Sequence, residues 1–201
     1  NIKSLVNLAL SRGMIGKKNS GLLPLRGHSN VQGMGTMGVT PKLKDIVFKN
    51  LTKLGFKLPL FAGYDTMACM DAGQRNEMDF AWCLGGNLYG SNPDLVYAGR
   101  AMSKIPTLVY MNTSLNTGHI FGRGKETIIL PVLARDEESQ KTTQESMFNF
   151  LRLSDGGPKR IKTLQSEVNI IAEIGQRIFK DSPVDWQEMK SHKSIREIIS
   201  K

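Results

Sequence analysis

Three short apolar segments, separated by a helical pattern and by turns, constrain the fold of this chain most strongly. They are 79–84 (Asp-Phe-Ala-Trp-Cys-Leu), 107–111 (Thr-Leu-Val-Tyr-Met) and 127–130 (Thr-Ile-Ile-Leu). Runs of this length between turn residues are typical of buried strands. Between the first two, a helix is predicted with Asn92 as its cap and Pro93 as its first residue. This order predicts an α/β fold, a Rossmann-like parallel sheet with flanking helices.

Local signals predict further elements in the first part of the chain. Apolar residues on one face predict a helix over 2–11, which Gly13 ends. Residues 16–38 contain many glycines and are expected to form an extended, ordered loop, and a loop of that length usually has a functional reason. Asp65 is predicted to cap a helix that runs to about 73–76.

The last third of the chain is more polar. Residues 134–160 are interpreted as a connection that carries short structure, and 166–179 as an amphipathic helix. The apolar face of that helix is predicted to consist of Val168, Ile171, Ile174 and Ile178. The domain prediction is one α/β unit over 1–180, followed by a peripheral charged tail over 181–201.

Length and charge limit the classes of function. A chain of 201 residues can bury a core without disulfides or metal sites. The net charge of +9 attracts polyanions, but the basic residues are dispersed and aromatic residues make up only 7%. We therefore expect no specific nucleic-acid module, and a polyphosphate cofactor explains the charge equally well. No apolar run is long enough to span a membrane and no secretion signal is recognised, so a cytoplasmic location is expected.

Cysteine and histidine spacing does not predict a metal site. Cys69 and Cys83 are the only cysteines and are interpreted as small buried side chains. Because no Cys-x-x-Cys spacing occurs, the chain is not expected to ligate an iron–sulfur cluster by itself. Neither a Walker-type phosphate loop nor a serine–histidine–acid set is recognised.

The segment 26–33, Arg-Gly-His-Ser-Asn-Val-Gln-Gly, is rich in hydrogen-bonding groups and contains only one core-forming residue, Val31. Its glycines let the backbone approach a ligand closely, and its side chains suit an anionic ligand rich in heteroatoms. A glycine-rich surface connection is the alternative interpretation.

Polar turns follow each predicted strand. Gly85-Gly86-Asn87 follow the first; Asn112-Thr113-Ser114, with Asn116 and Thr117, follow the second; Arg135-Asp136 come shortly after the third. The carboxyl ends of parallel strands lie at one edge of a sheet, where ligands bind in open α/β folds. The sequence therefore predicts a binding edge, although each turn by itself is also compatible with an ordinary α/β connection.

Two N-terminal stretches, Asn7-Leu-Ala-Leu-Ser-Arg-Gly-Met-Ile-Gly and Ser20-Gly-Leu-Leu-Pro-Leu-Arg-Gly-His-Ser-Asn-Val-Gln-Gly, resemble the molybdopterin oxidoreductase superfamily. The most similar members are the formate-dehydrogenase-like alpha subunits, at the point where a helix ends and a cofactor-binding loop begins. The resemblance continues through Leu84-Gly-Gly-Asn, Leu115-Asn-Thr-Gly-His, Glu126-Thr-Ile-Ile-Leu-Pro and Ser166-Glu-Val-Asn-Ile-Ile-Ala-Glu-Ile.

The resemblance implies a bis-pterin guanine dinucleotide cofactor that holds molybdenum or tungsten. Arg26 would lie beside the metal and orient a small anionic substrate, for which a guanidinium is suited. His28 departs from the glutamine common in formate dehydrogenases, which leaves the substrate open. The implied cofactor-binding residues fall into three groups: Gly27, His28, Ser29, Asn30, Gln32 and Gly33; Gly85, Gly86 and Asn87; and Thr113, Asn116, Thr117 and His119.

The resemblance also implies an internal cofactor-binding domain of a larger multidomain enzyme, whose other domains are its partners. The iron–sulfur region and the metal-ligating residue of the family lie outside these residues, so the isolated chain is expected to be inactive. A non-catalytic nucleotide-binding α/β module is the alternative, and a basic interaction protein is a third hypothesis.

Overall fold

The computed structural model describes residues 1–25, 27–148 and 150–200. The helices are α1 (Ile2–Ser11), α2 (Val31–Thr36), α3 (Asp45–Lys53), α4 (Thr66–Gln74), α5 (Leu88–Ser91), α6 (Leu95–Ser103), α7 (Gly118–Phe121), α8 (Glu167–Ile178) and α9 (His192–Ile199). The strands are β1 (Phe80–Leu84), β2 (Thr107–Asn112), β3 (Glu126–Pro131), β4 (Thr142–Glu145) and β5 (Leu151–Ser154). Short 3-10 helices cover Arg135–Glu137 and Glu188–Lys190.

A parallel sheet forms the centre of the fold. Its strands are ordered β1, β2, β3, with Phe80 opposite Thr107 and Thr107 opposite Glu126. This architecture, a parallel sheet with flanking helices, confirms the predicted Rossmann-like α/β class. The prediction that all three strands are buried was wrong for two of them. Only β2 is central and buried, whereas β1 and β3 lie at the edges of the described sheet, and Ile128 and Ile129 are each 40% exposed.

The core lies where α4 and α6 pack against β1 and β2. Its buried members are Met70, Cys83, Ala98, Ala101, Met102, Ile105, Leu108 and Tyr110. The two helices approach each other closely at Gly73, where a Cβ atom would lie 3.0 Å from the carbonyl oxygen of Ala101. This packing fixes the positions of β1 and β2, and therefore of the turns that follow them.

The predicted start of α6 was two residues too early. Asp94, not Asn92, caps this helix, and its Oδ1 accepts a hydrogen bond from the backbone N–H of Tyr97 at 2.9 Å. Asn92 is instead buried at the end of α5, where its Nδ2 donates to the carbonyl oxygen of Leu88 at 2.6 Å. Pro93 accordingly precedes the cap rather than following it.

Other local predictions hold with one exception. Helix α1 has the predicted bounds and is followed by Gly13 with a φ of +62°. The Asp65 side chain caps α4 by accepting from the N–H of Ala68 at 2.9 Å. The stretch 16–38 is not a continuous loop, since it contains α2. Asn30, in the left-handed region with a φ of +59°, precedes that helix.

The polar connection 134–160 contains an antiparallel hairpin, β4–β5, in which Gln144 lies opposite Arg152. Helix α8 has the predicted extent, and the Ser166 Oγ accepts from the N–H of Asn169 at 3.3 Å.

The predicted apolar face of α8 was partly wrong. Ile171 and Ile178 are 36% and 64% exposed, while Ala172 and Gly175 are buried. Trp186 from the 181–201 tail packs against Gly175, which leaves no room there for a larger residue. None of the helices in the described residues is long and apolar enough to cross a membrane.

Candidate functional site

The turns that follow β1 and β2 meet at one carbonyl group. The carbonyl oxygen of Gly86 accepts hydrogen bonds from Asn112 Nδ2 at 2.8 Å and from Asn116 Nδ2 at 2.9 Å. Across the same junction, Asn87 Nδ2 donates to Thr117 Oγ1 at 2.7 Å. These bonds bring two groups of predicted site residues into one corner of the sheet.

The glycine pair in this corner has an open side. Gly85 and Gly86 have φ values of +68° and +66°, a region that other residues enter at a cost. A Cβ atom built on either residue would meet no atom within 4 Å. The backbone here is therefore left-handed without being crowded, and a ligand can approach it closely.

The asparagine side chains of the corner are largely occupied by the protein itself. Asn87 Oδ1 accepts from the N–H of Gly90 at 2.9 Å, and Asn116 Oδ1 accepts from the N–H of Gly118 at 2.8 Å. Buried or half-buried polar groups need such partners, and these bonds fix the shape of both turns. Asn87 and Asn116 therefore stabilise the corner through hydrogen bonds within the protein.

His119 lies behind the second turn rather than on an open surface. It is 6% exposed, and its ring packs edge-on against Tyr110 with the centroids 4.7 Å apart. Its Nδ1 accepts from the backbone N–H of Asn116 at 2.9 Å, so the ring proton is on Nε2. His119 is therefore placed to position Asn116.

Thr113, in the second turn, borders a cavity that it shares with the N-terminal loop. Together with Ser29, Asn30 and Arg135, it lines a cavity of about 560 Å³. Arg135 follows β3, so residues after two strands and two residues of the predicted loop share this space. The Arg135 guanidinium reaches towards the hairpin, where its Nε donates to Thr142 Oγ1 at 3.1 Å.

The loop residues contact the hairpin directly. Ser29 Oγ accepts from Gln144 Nε2 at 2.9 Å, and Asn30 Oδ1 accepts from the N–H of Glu145 at 2.8 Å. His28, Ser29, Asn30 and Gln32 line a second cavity, of about 280 Å³, whose other wall is the hairpin. Gly27 is exposed, and Gly33 lies against the Asn30 side chain. Arg26 lies outside the described residues.

The predicted residues therefore fall into two clusters. One is the strand-end corner, with Gly85, Gly86, Asn87, Asn116 and Thr117, backed by His119. The other is the loop 27–33, which shares a cavity with Thr113. No hydrogen bond joins the loop to the glycine pair within the part of the chain that the structure describes.

Sequence reasoning missed the contribution of the β4–β5 hairpin. Gln144 and Glu145 hold the loop, and Phe148, Phe150 and Arg152 line the smaller cavity. One signal was available, since Leu-Arg-Leu-Ser at 151–154 alternates apolar and polar residues as strands do.

Two further ionisable side chains in the sheet, Cys83 and Tyr110, are buried in the core. Burial raises the pKa of the Cys83 thiol to about 11, so Cys83 is protonated at neutral pH. Burial also raises the pKa of the Tyr110 hydroxyl, whose proton is held by the carbonyl oxygen of Gly122. The described residues contain no group of three or more His, Cys, Asp or Glu side chains arranged to hold a metal ion.

Comparison with known proteins points to oxidoreductases. No protein-family model matches the chain. It is 34% identical over 195 residues to Protein YdeP of Escherichia coli K12, covering 93% of this chain and 26% of that protein. It is 31% identical over 209 aligned positions to an uncharacterized oxidoreductase of Mycobacterium tuberculosis, covering 99% of this chain and 27% of that protein.

A shorter match names an activity for the relative. Over 125 residues, the chain is 31% identical to the F420-dependent formate dehydrogenase subunit alpha of Methanocaldococcus jannaschii, covering 57% of this chain and 18% of the subunit. The chain spans about a quarter of the length of YdeP and of the mycobacterial protein. Along almost its whole length, it is similar to a protein named as an oxidoreductase.

Proposed function

We propose that this chain is the cofactor-binding segment of a molybdopterin-dependent oxidoreductase that resembles formate dehydrogenase, and that it binds bis-pterin guanine dinucleotide. The observation that carries the proposal is the junction at Gly86, where two strand-end turns meet beside an open glycine pair. The similarity to a formate dehydrogenase alpha subunit over 125 residues supports an oxidoreductase that resembles formate dehydrogenase.

The described residues fit the chemistry of such a ligand. A pterin dinucleotide carries heterocycles, hydroxyls and phosphates, and it is bound by backbone amides, side-chain amides and hydroxyls. The open backbone at Gly85 and Gly86 offers close approach to phosphate or guanosine. Ser29, Asn30 and Thr113 add hydroxyl and amide groups on one cavity. A dinucleotide has a nucleotide end and a pterin end, and the two clusters of polar residues would each bind one of them.

In this proposal, Gly85 and Gly86 contact the guanosine and its phosphates, and Thr117 completes that pocket. Thr113, which the sequence grouped with Thr117, instead borders the loop cavity with Ser29 and Asn30. Asn87, Asn116 and His119 maintain the corner in the shape that binds. The loop, with Gly27, His28, Ser29, Asn30, Gln32 and Gly33, lines one pterin. When bound, the cofactor supplies the redox chemistry through its molybdenum or tungsten.

For Arg26, which lies outside the described residues, the family resemblance alone implies a role: its permanently charged guanidinium would orient a small anionic substrate beside the metal. We assign the cofactor-binding unit to residues 1–180, and we assign the iron–sulfur cluster and the metal ligand to the remaining domains of the enzyme. Those domains are the partners of this segment.

Calorimetric titration of the 201-residue chain with GDP tests the proposal. We expect GDP to bind the wild-type chain and Gly86→Ala to weaken binding by about tenfold or more. The added methyl group would occupy the open space beside the backbone, and the expected loss is comparable to one hydrogen bond to a charged group.

Two control variants separate this effect from backbone strain and from charge. Gly16 also has a positive φ, +85°, and a Cβ atom there would meet no atom within 4 Å, so Gly16→Ala imposes similar strain away from the corner. Lys42→Gln removes an exposed charge. Both should bind GDP like the wild type. An equal loss of affinity in all three variants would contradict the proposed pocket.

A further inference from the structure

The smaller cavity has one wall that the N-terminal loop does not supply. It measures about 280 Å³ and lies between His28–Gln32 and the β4–β5 hairpin. On the hairpin side it is lined by Phe148, Phe150 and Arg152, among others. This wall combines two aromatic rings with a cation.

The pairing of β4 with β5 fixes the polar side of this wall. Gln144 lies opposite Arg152, so the two side chains share one face of the hairpin. Gln144 is held from two directions: its Nε2 donates to Ser29 Oγ at 2.9 Å, and its Oε1 accepts from Arg135 Nη1 at 3.5 Å. Arg152 therefore lies beside a side chain that is anchored to both the loop and the segment after β3.

Arg152 has an uncompensated charge within the described residues, since no carboxylate oxygen there lies within 4.0 Å of its guanidinium. Glu145 also borders the cavity, but it pairs with Leu151 and so belongs to the opposite face of the hairpin. A guanidinium in this position is suited to bind a phosphate group through two hydrogen bonds.

The aromatic part of the wall is exposed. Phe148 and Phe150 are 63% and 53% exposed, although phenylalanine is usually buried. Phenyl rings at the border of a cavity provide faces on which a planar heterocycle stacks, and such stacking does not depend on the exact base.

We propose that the β4–β5 hairpin is the second wall of the ligand site, with Phe148 and Phe150 stacking on a planar heterocycle and Arg152 binding its phosphate. The ligand class at this wall is a phosphorylated planar heterocycle, which includes pterin nucleotides. The guanosine of the dinucleotide stays at Gly85 and Gly86, so FMN rather than GDP is the probe of the hairpin. This inference rests on the proposed function, because the wall opposite the hairpin is the loop 27–33 that is proposed to bind a pterin.

Titrations with FMN, riboflavin and pyrophosphate separate the two contacts in the full chain. Arg152→Gln should weaken FMN and pyrophosphate by about tenfold to a hundredfold, the range for losing a hydrogen bond to a charged group, and leave riboflavin unchanged. Phe150→Leu should weaken FMN and riboflavin by roughly threefold to tenfold, the range for lost ring stacking, and leave pyrophosphate unchanged. Arg100→Gln on α6 and Phe61→Leu, at a ring that is 79% exposed, are the matched controls.

The outcomes distinguish this inference from the proposed function. If Gly86→Ala weakens GDP binding while Arg152→Gln and Phe150→Leu bind FMN like the wild type, the hairpin is not a wall of the site and the cofactor proposal stands. If the wild type binds FMN but not GDP, and Arg152→Gln loses FMN binding, the hairpin role is supported and the guanine dinucleotide is wrong. A wild-type chain that binds none of these ligands overturns both.

Discussion

Tyr110 illustrates at the scale of one residue how the site is held from behind. The residue is 1% exposed, and its hydroxyl donates to the carbonyl oxygen of Gly122 at 2.5 Å. Its ring contacts the ring of His119 at an interplanar angle of 64°, and His119 in turn accepts a hydrogen bond from the N–H of Asn116. The phenol and the imidazole thus connect the core of the sheet to the turn after β2.

Tyr110→Phe should lower the free energy of unfolding by about 1–3 kcal/mol, because the buried carbonyl group of Gly122 would lose its partner. Tyr64→Phe is the matched control, since Tyr64 is 59% exposed and its hydroxyl has no hydrogen bond within the described residues. Urea unfolding measures both variants. Equal stability of the two would mean that the short hydrogen bond of Tyr110 contributes nothing to stability.

The role of a residue was predictable from the sequence where its hydrogen-bond partner lies within a few residues along the chain. Asp65 was predicted as a helix cap and Ser166 as the start of a helix, and both side chains accept from a backbone N–H three residues ahead. The role of His119 was not predictable in this way. A histidine in a polar turn is equally compatible with a ligand contact or with a contact to the protein, and only the fold shows that its Nδ1 is used by Asn116.

At the scale of elements, the start of α6 shows how two similar signals compete. Asn92-Pro93 and Asp94 both resemble helix starts, but the burial of Asn92 and its bond to Leu88 leave Asp94 as the cap. The distinction cannot be made from the local sequence, because it depends on the short helix α5 that precedes it.

Asp94→Ala should therefore destabilise the chain by about 1 kcal/mol, the usual cost of losing an N-cap. Asp94→Asn keeps the side-chain acceptor and removes only the charge, so it should remain close to the wild type. Thermal unfolding monitored by circular dichroism compares the two. If Asp94→Asn were as unstable as Asp94→Ala, the charge rather than the cap would be the stabilising feature.

The hairpin and the face of α8 were the elements that sequence patterns predicted least well. Pairing between β4 and β5 joins residues on both sides of a turn that contains Met147 and Phe148, and the bonds of β4 to the N-terminal loop reach residues 115 positions away in the chain. The buried face of α8 depends on Trp186, which packs against Gly175. In contrast, β2 was predicted accurately because a central strand is apolar on both faces.

On the scale of the whole molecule, three distant parts of the chain form the proposed site. The glycine pair at 85–86, the loop at 27–33 and the hairpin at 142–154 are each short, and the parallel sheet and the hairpin contacts place them. The first two were recognisable as local motifs, whereas the third becomes visible only in the fold. The whole chain carries a net charge of +9, so anions can bind either at this site or non-specifically at the basic surface.

Non-specific and specific binding should respond differently to salt. A protein that neutralises six or more phosphates of DNA loses about a thousandfold or more in affinity between roughly 50 and 200 mM salt. We expect retention of this chain on DNA to disappear over that range, irrespective of the DNA sequence, because its basic residues are dispersed. GDP contributes few phosphate contacts, so its affinity should fall far less.

The double variant Lys42→Glu, Lys49→Glu should elute from DNA at lower salt and bind GDP unchanged. Retention on DNA that persists at about 200 mM salt, or that depends on DNA sequence, would instead favour a nucleic-acid partner.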